Sequence, residues 1–210
     1  MTVEPAWLIA ARELQAIAQT GLTFTTDPFD RERYARLREL AAEFFHASTG
    51  EPVDRILQMF TVQTGYATPK VDVRAAVFNE HNQVLMVREV SDEGRWTLPG
   101  GWADVNITPA GNVVKEVLEE SGYEVAVTKL AAVWDRNRQG HPASVFSVCK
   151  MFFLCRLAGG AAATSLETSE VQWFAEGGIP ADLSLQRVLP QQIKRMFEHL
   201  RRPDLATDYD

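Results

Sequence analysis

The chain has 210 residues, 46% of them hydrophobic, with 21 Lys and Arg against 28 Asp and Glu for a net charge of −7. This composition suits a folded protein with a sizeable core, and an acidic balance without any basic run argues against duplex DNA as the main partner. No stretch approaches the roughly 18 consecutive apolar residues of a membrane helix, and Met1–Ala10 holds Glu4 and no positive charge, unlike a secretory leader, so the expected address is the cytoplasm.

From Pro5 to about Gly65 the apolar residues recur at helical spacing: Trp7, Leu8, Leu14, Ile17 and Ala18, then Tyr34, Leu37, Leu40, Ala41, Phe44 and Phe45, then Val53, Ile56, Leu57 and Phe60. Three helices fit. Gly21 is expected to end the first, Asp27-Pro28 with Asp30 to cap and start the second, and Glu51-Pro52 to start the third. The turn-rich Gly65–Pro69 marks a boundary, giving a helical domain over 1–66 and a second domain over 70–210. A helical region this small buries a marginal core and carries large aromatics. It is expected to mediate a homodimer, the alternative being a cap on its own chain.

From Val71 onward the pattern becomes short apolar runs: Val71–Phe78, Gln83–Val87, Val125–Trp134, Phe146–Leu157 and Val171–Phe174. These read as strands, interrupted by helices from about Pro109 to Ser121 and from about Pro190 to Arg201. The expected class is α/β (α+β), a sandwich of helices on a mixed sheet behind three N-terminal helices. Cys149 and Cys155 fall in one run, roughly 20 Å apart if extended at about 3.3 Å per residue, and so cannot bridge each other.

Chemistry concentrates in Gly94-Arg95-Trp96-Thr97-Leu98-Pro99-Gly100-Gly101-Trp102 and in Lys115-Glu116-Val117-Leu118-Glu119-Glu120-Ser121-Gly122-Tyr123. Thr108 caps a helix with Pro109 at its first position, and Gly122 stops it. At 100° per residue Glu116, Glu119 and Glu120 share an arc of roughly 100°, opposite Ala110, Val113, Val114, Val117 and Leu118. Like charges at this spacing destabilise a bare helix, so a positive group belongs among them. Clustered carboxylate oxygens suit Mg²⁺ or Mn²⁺, and the Gly-Gly turn can add a main-chain carbonyl. An acidic helix face alone is more often a solvated surface; the turn before it and the glycine stop after it favour the metal site.

With these residues the sequence resembles the Nudix hydrolases. Their box has a Gly, a Glu six residues on, then Arg-Glu, an aliphatic residue, any residue, Glu-Glu, any residue and Gly. Here it begins at Gly101, and Glu116, Glu119, Glu120 and Gly122 match its spacing, while Ile107 replaces the first Glu and Lys115 the Arg. Trp7 to Leu22, Thr68 to Arg74 and Asp135-Arg136-Asn137 further resemble a bacterial subfamily with an N-terminal helical domain.

The resemblance implies an α/β/α sandwich and metal-dependent hydrolysis of a nucleoside diphosphate linked to another moiety, of CDP-choline or ADP-ribose type. Glu116, Glu119, Glu120 and the Gly100 carbonyl would hold Mg²⁺ or Mn²⁺. Glu119, Glu120 and Glu167 are the catalytic candidates; Glu167 and Glu170 both lie where the family places a further carboxylate, and Glu167 is preferred because it lies farther from the strand. Arg74, Arg88 and Arg136 are candidates for phosphate contact, each with an ion-paired or surface role as its alternative. Trp96 and Trp134 could stack on substrate or fill the core, and His141 reads as a solvated loop residue. The expected partner is a small nucleotide, not nucleic acid or a membrane. Two other readings stay open: a weakened nucleotide-binding or regulatory protein, favoured by Ile107 and Lys115, and an RNA-end-processing pyrophosphohydrolase.

Overall fold

The computed structural model describes residues 5–210. The chain up to Lys70, with Ala143–Ser147, forms one compact unit; Val71–Pro142 with Val148–Asp210 forms another.

The first unit holds α1 (Ala6–Phe24), α2 (Pro28–Thr49) and α3 (Val53–Thr61). The Asp27 side chain accepts from the backbone N–H groups of Phe29 and Asp30 at 2.8 and 2.9 Å and starts α2. The helices meet over Leu8, Ala11, Ala41, Ala42, Phe45, Ile56 and Phe60, with Phe45 edge-on to Trp7 and Phe60 at centroid distances of 6.3 and 5.8 Å. The expected stop at Gly21 is not there. α1 continues to Phe24 because Gly21 faces the Tyr34 ring of α2, and a Cβ would stand 2.5 Å from that ring. The missing side chain serves helix packing rather than termination.

The second unit is built on β1 (Lys70–Phe78), β2 (Val84–Glu89), β3 (Arg95–Thr97), α4 (Pro109–Ser121), β4 (Tyr123–Asp135), β5 (Val148–Gly160), β6 (Thr168–Phe174), α5 (Pro190–Arg201) and β7 (Asp208–Tyr209). The sheet order is β3-β2-β1-β5-β4-β7, with β6 also paired to β2. β4 and β5 are antiparallel and irregular at several bulges, while β7 runs parallel to β4. The short β3 and β7 escape sequence reading because two or three residues display no period. Along β1, Val73, Ala75 and Val77 join Val113 and Val117 of α4 in one core; Ala76 and Phe78 join Ile193, Met196 and Phe197 of α5 in the other. This alternation makes the sandwich, and each large side chain buried there contributes about 2 kcal/mol. Cys149 and Cys155 are free thiols. Trp96 and Trp134 belong to the α5-side core.

His141 departs from the expected solvated loop. Its Nδ1 donates to the Leu185 carbonyl at 2.7 Å and its Nε2 lies 3.1 Å from Gln192 Nε2 of α5. Burial drives its pKa down to about 4, so the ring is neutral.

Candidate active site

α4 takes its direction from two ends. The Thr108 hydroxyl accepts from Gly111 N–H at 3.1 Å, and Gly122 closes the helix in the left-handed region at φ 72°. Between them the fully buried Asn112 accepts from Asp104 N–H at 3.0 Å and donates to the carbonyls of Asp104, Ile107 and Thr108 at 3.4 Å. A poor helix former by propensity thus ties down the loop that leads into the helix.

The turn Leu98–Gly101 lies flat against β1: Ala75 N–H donates to the Pro99 carbonyl and Val73 N–H to the Gly101 carbonyl, both at 2.8 Å. Gly100 sits at φ +140°, and a Cβ there would fall 2.0 Å from the Val73 carbonyl oxygen, so no other residue fits. Gly100 N–H donates to Glu120 Oε2 at 2.9 Å. The helix and the Gly-Gly turn are thereby joined through a buried carboxylate.

Burial pushes the Glu120 carboxyl up to about 8, against the opposing pull of Arg74 and the Gly100 N–H. Glu116 is also raised, first by burial and then by the negative charges of Glu119 and Glu167, partly offset by Lys115 and Arg74. Glu167, on the segment before β6, therefore adds its charge at Glu116. Glu170 instead lies 3.4 Å from Arg88. Glu119 is exposed and meets Lys115 Nζ at 2.9 Å.

These carboxylates are oxygen acceptors with a surplus of negative charge, and that chemistry fits a hard divalent cation. Among the described residues no three His, Cys, Asp or Glu groups already converge closely enough to hold one. Glu119 is turned to Lys115, so it would have to release that ammonium to join Glu116 and Glu120 around an ion.

The three arginines have different surroundings. Arg74 is buried, clasps Asp72 through Nε (3.0 Å) and Nη2 (2.7 Å), and donates from Nη1 to the Leu98 carbonyl at 3.2 Å, on the turn that carries Gly100. Arg88 is partly exposed, 5.1 Å over the Trp96 ring and 3.3 Å from Asp182. Arg136 is buried against the Gln186 side chain and donates to the Pro142 carbonyl at 2.9 Å. Sequence reading overlooks three groups in this neighbourhood. Glu89 is buried against Ser91 Oγ (2.6 Å) and Arg187 (3.3 Å), and Lys150 lies 2.6 Å from Asp72. Alternation along a strand marks the sheet face of such residues but not which charged ones are enclosed.

Residues 68–195 match the NUDIX domain family, and residues 5–60 match a family described as a UDP-X-like, N-terminal oligomerisation domain. The chain is a Nudix hydrolase. It is 42% identical over 208 residues, 99% of each chain, to YjhB of Bacillus subtilis (strain 168), provisionally named an ADP-ribose pyrophosphatase. Among solved structures it is similar to a UDP-X diphosphatase (33% identity, TM-score 0.62, covering 97% of this chain and 98% of that one). It is also similar to an ADP-ribose pyrophosphatase from Streptococcus suis 89-1591 (38% identity, TM-score 0.61, covering 68% of this chain and all of that one).

The two departures of this Nudix box look different in three dimensions than in sequence. With Ile107 in place of Glu, Lys115 is left to turn to the helix glutamates, and it does meet Glu119, but Asp104 Oδ2 also lies 3.2 Å from Lys115 Nζ. The hydrogen bonds that Lys115 donates to Glu119 and then to Asp104 raise its pKa. A carboxylate three residues earlier in the loop thus pairs with Lys115, its backbone bonded to Asn112.

Proposed function

We propose that this Nudix hydrolase cleaves the diphosphate bridge of a nucleoside diphosphate linked to a second moiety, with ADP-ribose as the first substrate to try and UDP- and CDP-linked compounds such as CDP-choline as the comparison set. Water adds to one phosphorus, the bridging P–O bond breaks, and a nucleoside monophosphate leaves with a phosphorylated second product and a proton. The observation that carries this reading is Glu120, a buried carboxyl bonded to the Gly100 N–H, with Glu116 and Glu119 beside it on one helix face. The near full-length likeness to YjhB and to the UDP-X diphosphatase supports the substrate class.

Glu116, Glu119, Glu120 and the Gly100 carbonyl would hold Mg²⁺ or Mn²⁺. A divalent ion there supplies charge neutralisation and a more acidic water. To hold such an ion Glu120 would be ionised and Glu119 would be released from Lys115, while Arg74 presents positive charge beside the Leu98–Gly100 turn. Glu167, whose charge is felt at Glu116, takes the proton from water. In the helical unit Phe24 and Phe29 are 65% and 67% exposed, apolar surface that a second copy would cover, and we assign homodimerisation to this unit.

The test is incubation of the protein with ADP-ribose, UDP-sugars and CDP-choline, with Mg²⁺, with Mn²⁺ and with EDTA, followed by product analysis. Metal-dependent release of a nucleoside monophosphate and a second phosphomonoester is expected from at least one compound. No release from any of them with either ion would overturn the reading in favour of a nucleotide-binding role, which the Lys115 to Glu119 contact favours.

A further inference from the structure

Two strands place three charged side chains inside the α5 face of the sheet. Asp72 and Arg74 come from β1 and Lys150 from β5, with exposures of 5%, 3% and 1%. Asp72 is shared: Oδ2 accepts from Arg74 Nη2 at 2.7 Å, and Oδ1 accepts from both Arg74 Nε at 3.0 Å and Lys150 Nζ at 2.6 Å. From Arg74 the network continues through Nη1 to the Leu98 carbonyl, and two residues later Gly100 N–H meets Glu120. A single line of hydrogen bonds and backbone therefore connects β5 to the carboxylate of α4.

Charge counting shows what the third member adds. Arg74 and Asp72 alone form a neutral, bidentate pair whose field largely cancels. With Lys150 on the same carboxylate the triad carries a net positive charge, and in a buried setting that field is poorly screened. Burial by itself would push the Asp72 carboxyl up, but the charges of Arg74 and Lys150 outweigh it and hold it at about 2. Burial alone would weaken the Arg74 guanidinium, yet Asp72, then Glu120 and Glu89, keep its pKa raised.

We propose that Lys150 is a positioning residue for the hydrolysis: by sharing Asp72 it leaves the Arg74 guanidinium with positive charge that Asp72 does not cancel, beside the Leu98–Gly100 turn, where the diphosphate gains negative charge during reaction. This rests on the function proposed above. Lys150 acts through Arg74 and touches no substrate.

The experiment is a double-mutant cycle on the full chain with Mg²⁺ and the hydrolysed diphosphate, using Lys150→Met, Arg74→Met and the double variant. Kinetics are read alongside urea unfolding, with Lys150→Gln standing in if the Met variant does not unfold cooperatively. Lys150→Met is expected to unfold cooperatively, with Arg74 still bonded to Asp72, while kcat falls tenfold or more and KM changes less than threefold. In the Arg74→Met background the same change should cost less than threefold. Lys150→Arg, which keeps the cation, should restore kcat to within threefold of the parent. A folded Lys150→Met enzyme with unchanged kcat, or an equal loss in both backgrounds, overturns the proposal while the hydrolase reading stands. A parent chain that cleaves no diphosphate overturns both.

Discussion

Glu120 should make the metal-free protein lose stability as the pH rises. Its carboxyl is pushed up to about 8 in the folded chain from an ordinary value near 4.5, chiefly by burial. Between those values the unfolded chain has lost the proton and the folded chain keeps it, so folding takes up a proton and stability falls by about 1.4 kcal/mol per pH unit. From about pH 6.5 to about pH 8 this amounts to about 2 kcal/mol, and the fall levels off above the folded value. Glu120→Gln has no proton to take up and should lack this component. Lys150, whose ammonium burial lowers to about 8, acts oppositely at higher pH, but it is common to both proteins and cancels in their difference. The assay is urea unfolding of parent and variant in EDTA across this range. The stability of the parent relative to Glu120→Gln should drop by about 2 kcal/mol, and Mg²⁺ should reverse the drop with release of a proton, because only the ionised carboxylate is a ligand. A difference that stays constant with pH would refute the reasoning that Glu120 is a buried, protonated acid awaiting a cation.

Glu119→Gln should leave folding intact, since the side chain is exposed, and reduce turnover more than tenfold at saturating Mg²⁺, read from steady-state kinetics. Asp104→Asn should throw Lys115 wholly onto Glu119 and raise the Mg²⁺ concentration for half-maximal activity by about threefold, while Ile107→Glu, offering Lys115 another carboxylate, should lower it by a similar factor. If both variants titrate like the parent, Lys115 does not compete with the ion. Phe24→Glu with Phe29→Glu should convert a dimer into a monomer at micromolar concentration by light scattering; a parent chain that is already monomeric would remove the assigned role of the helical unit.

The capped helix Pro109–Ser121, its three glutamates on one face and the Gly-Gly turn were legible in the sequence because each depends on spacing within about 25 residues and on rules of local geometry. The alternating strands and the three N-terminal helices were legible for the same reason. What a linear pattern cannot show is which charged groups end up enclosed together. Asp72 and Lys150 are 78 positions apart, and only the adjacency of β1 and β5 in the sheet brings them to 2.6 Å. Gly21 carried a helix-stop signal that was cancelled by a ring from another helix, because packing between elements overrides local propensity. Lys115 meets Glu119 four residues on, as helical spacing allows, but its second partner, Asp104, is reached only because Asn112 folds the loop toward the helix. His141 looked solvated since its loop is polar, yet it is held by Leu185 and Gln192 from distant parts of the chain. Sequence fixes which residues can do the chemistry; the desolvation and neighbouring charge that set their protonation come only from tertiary packing.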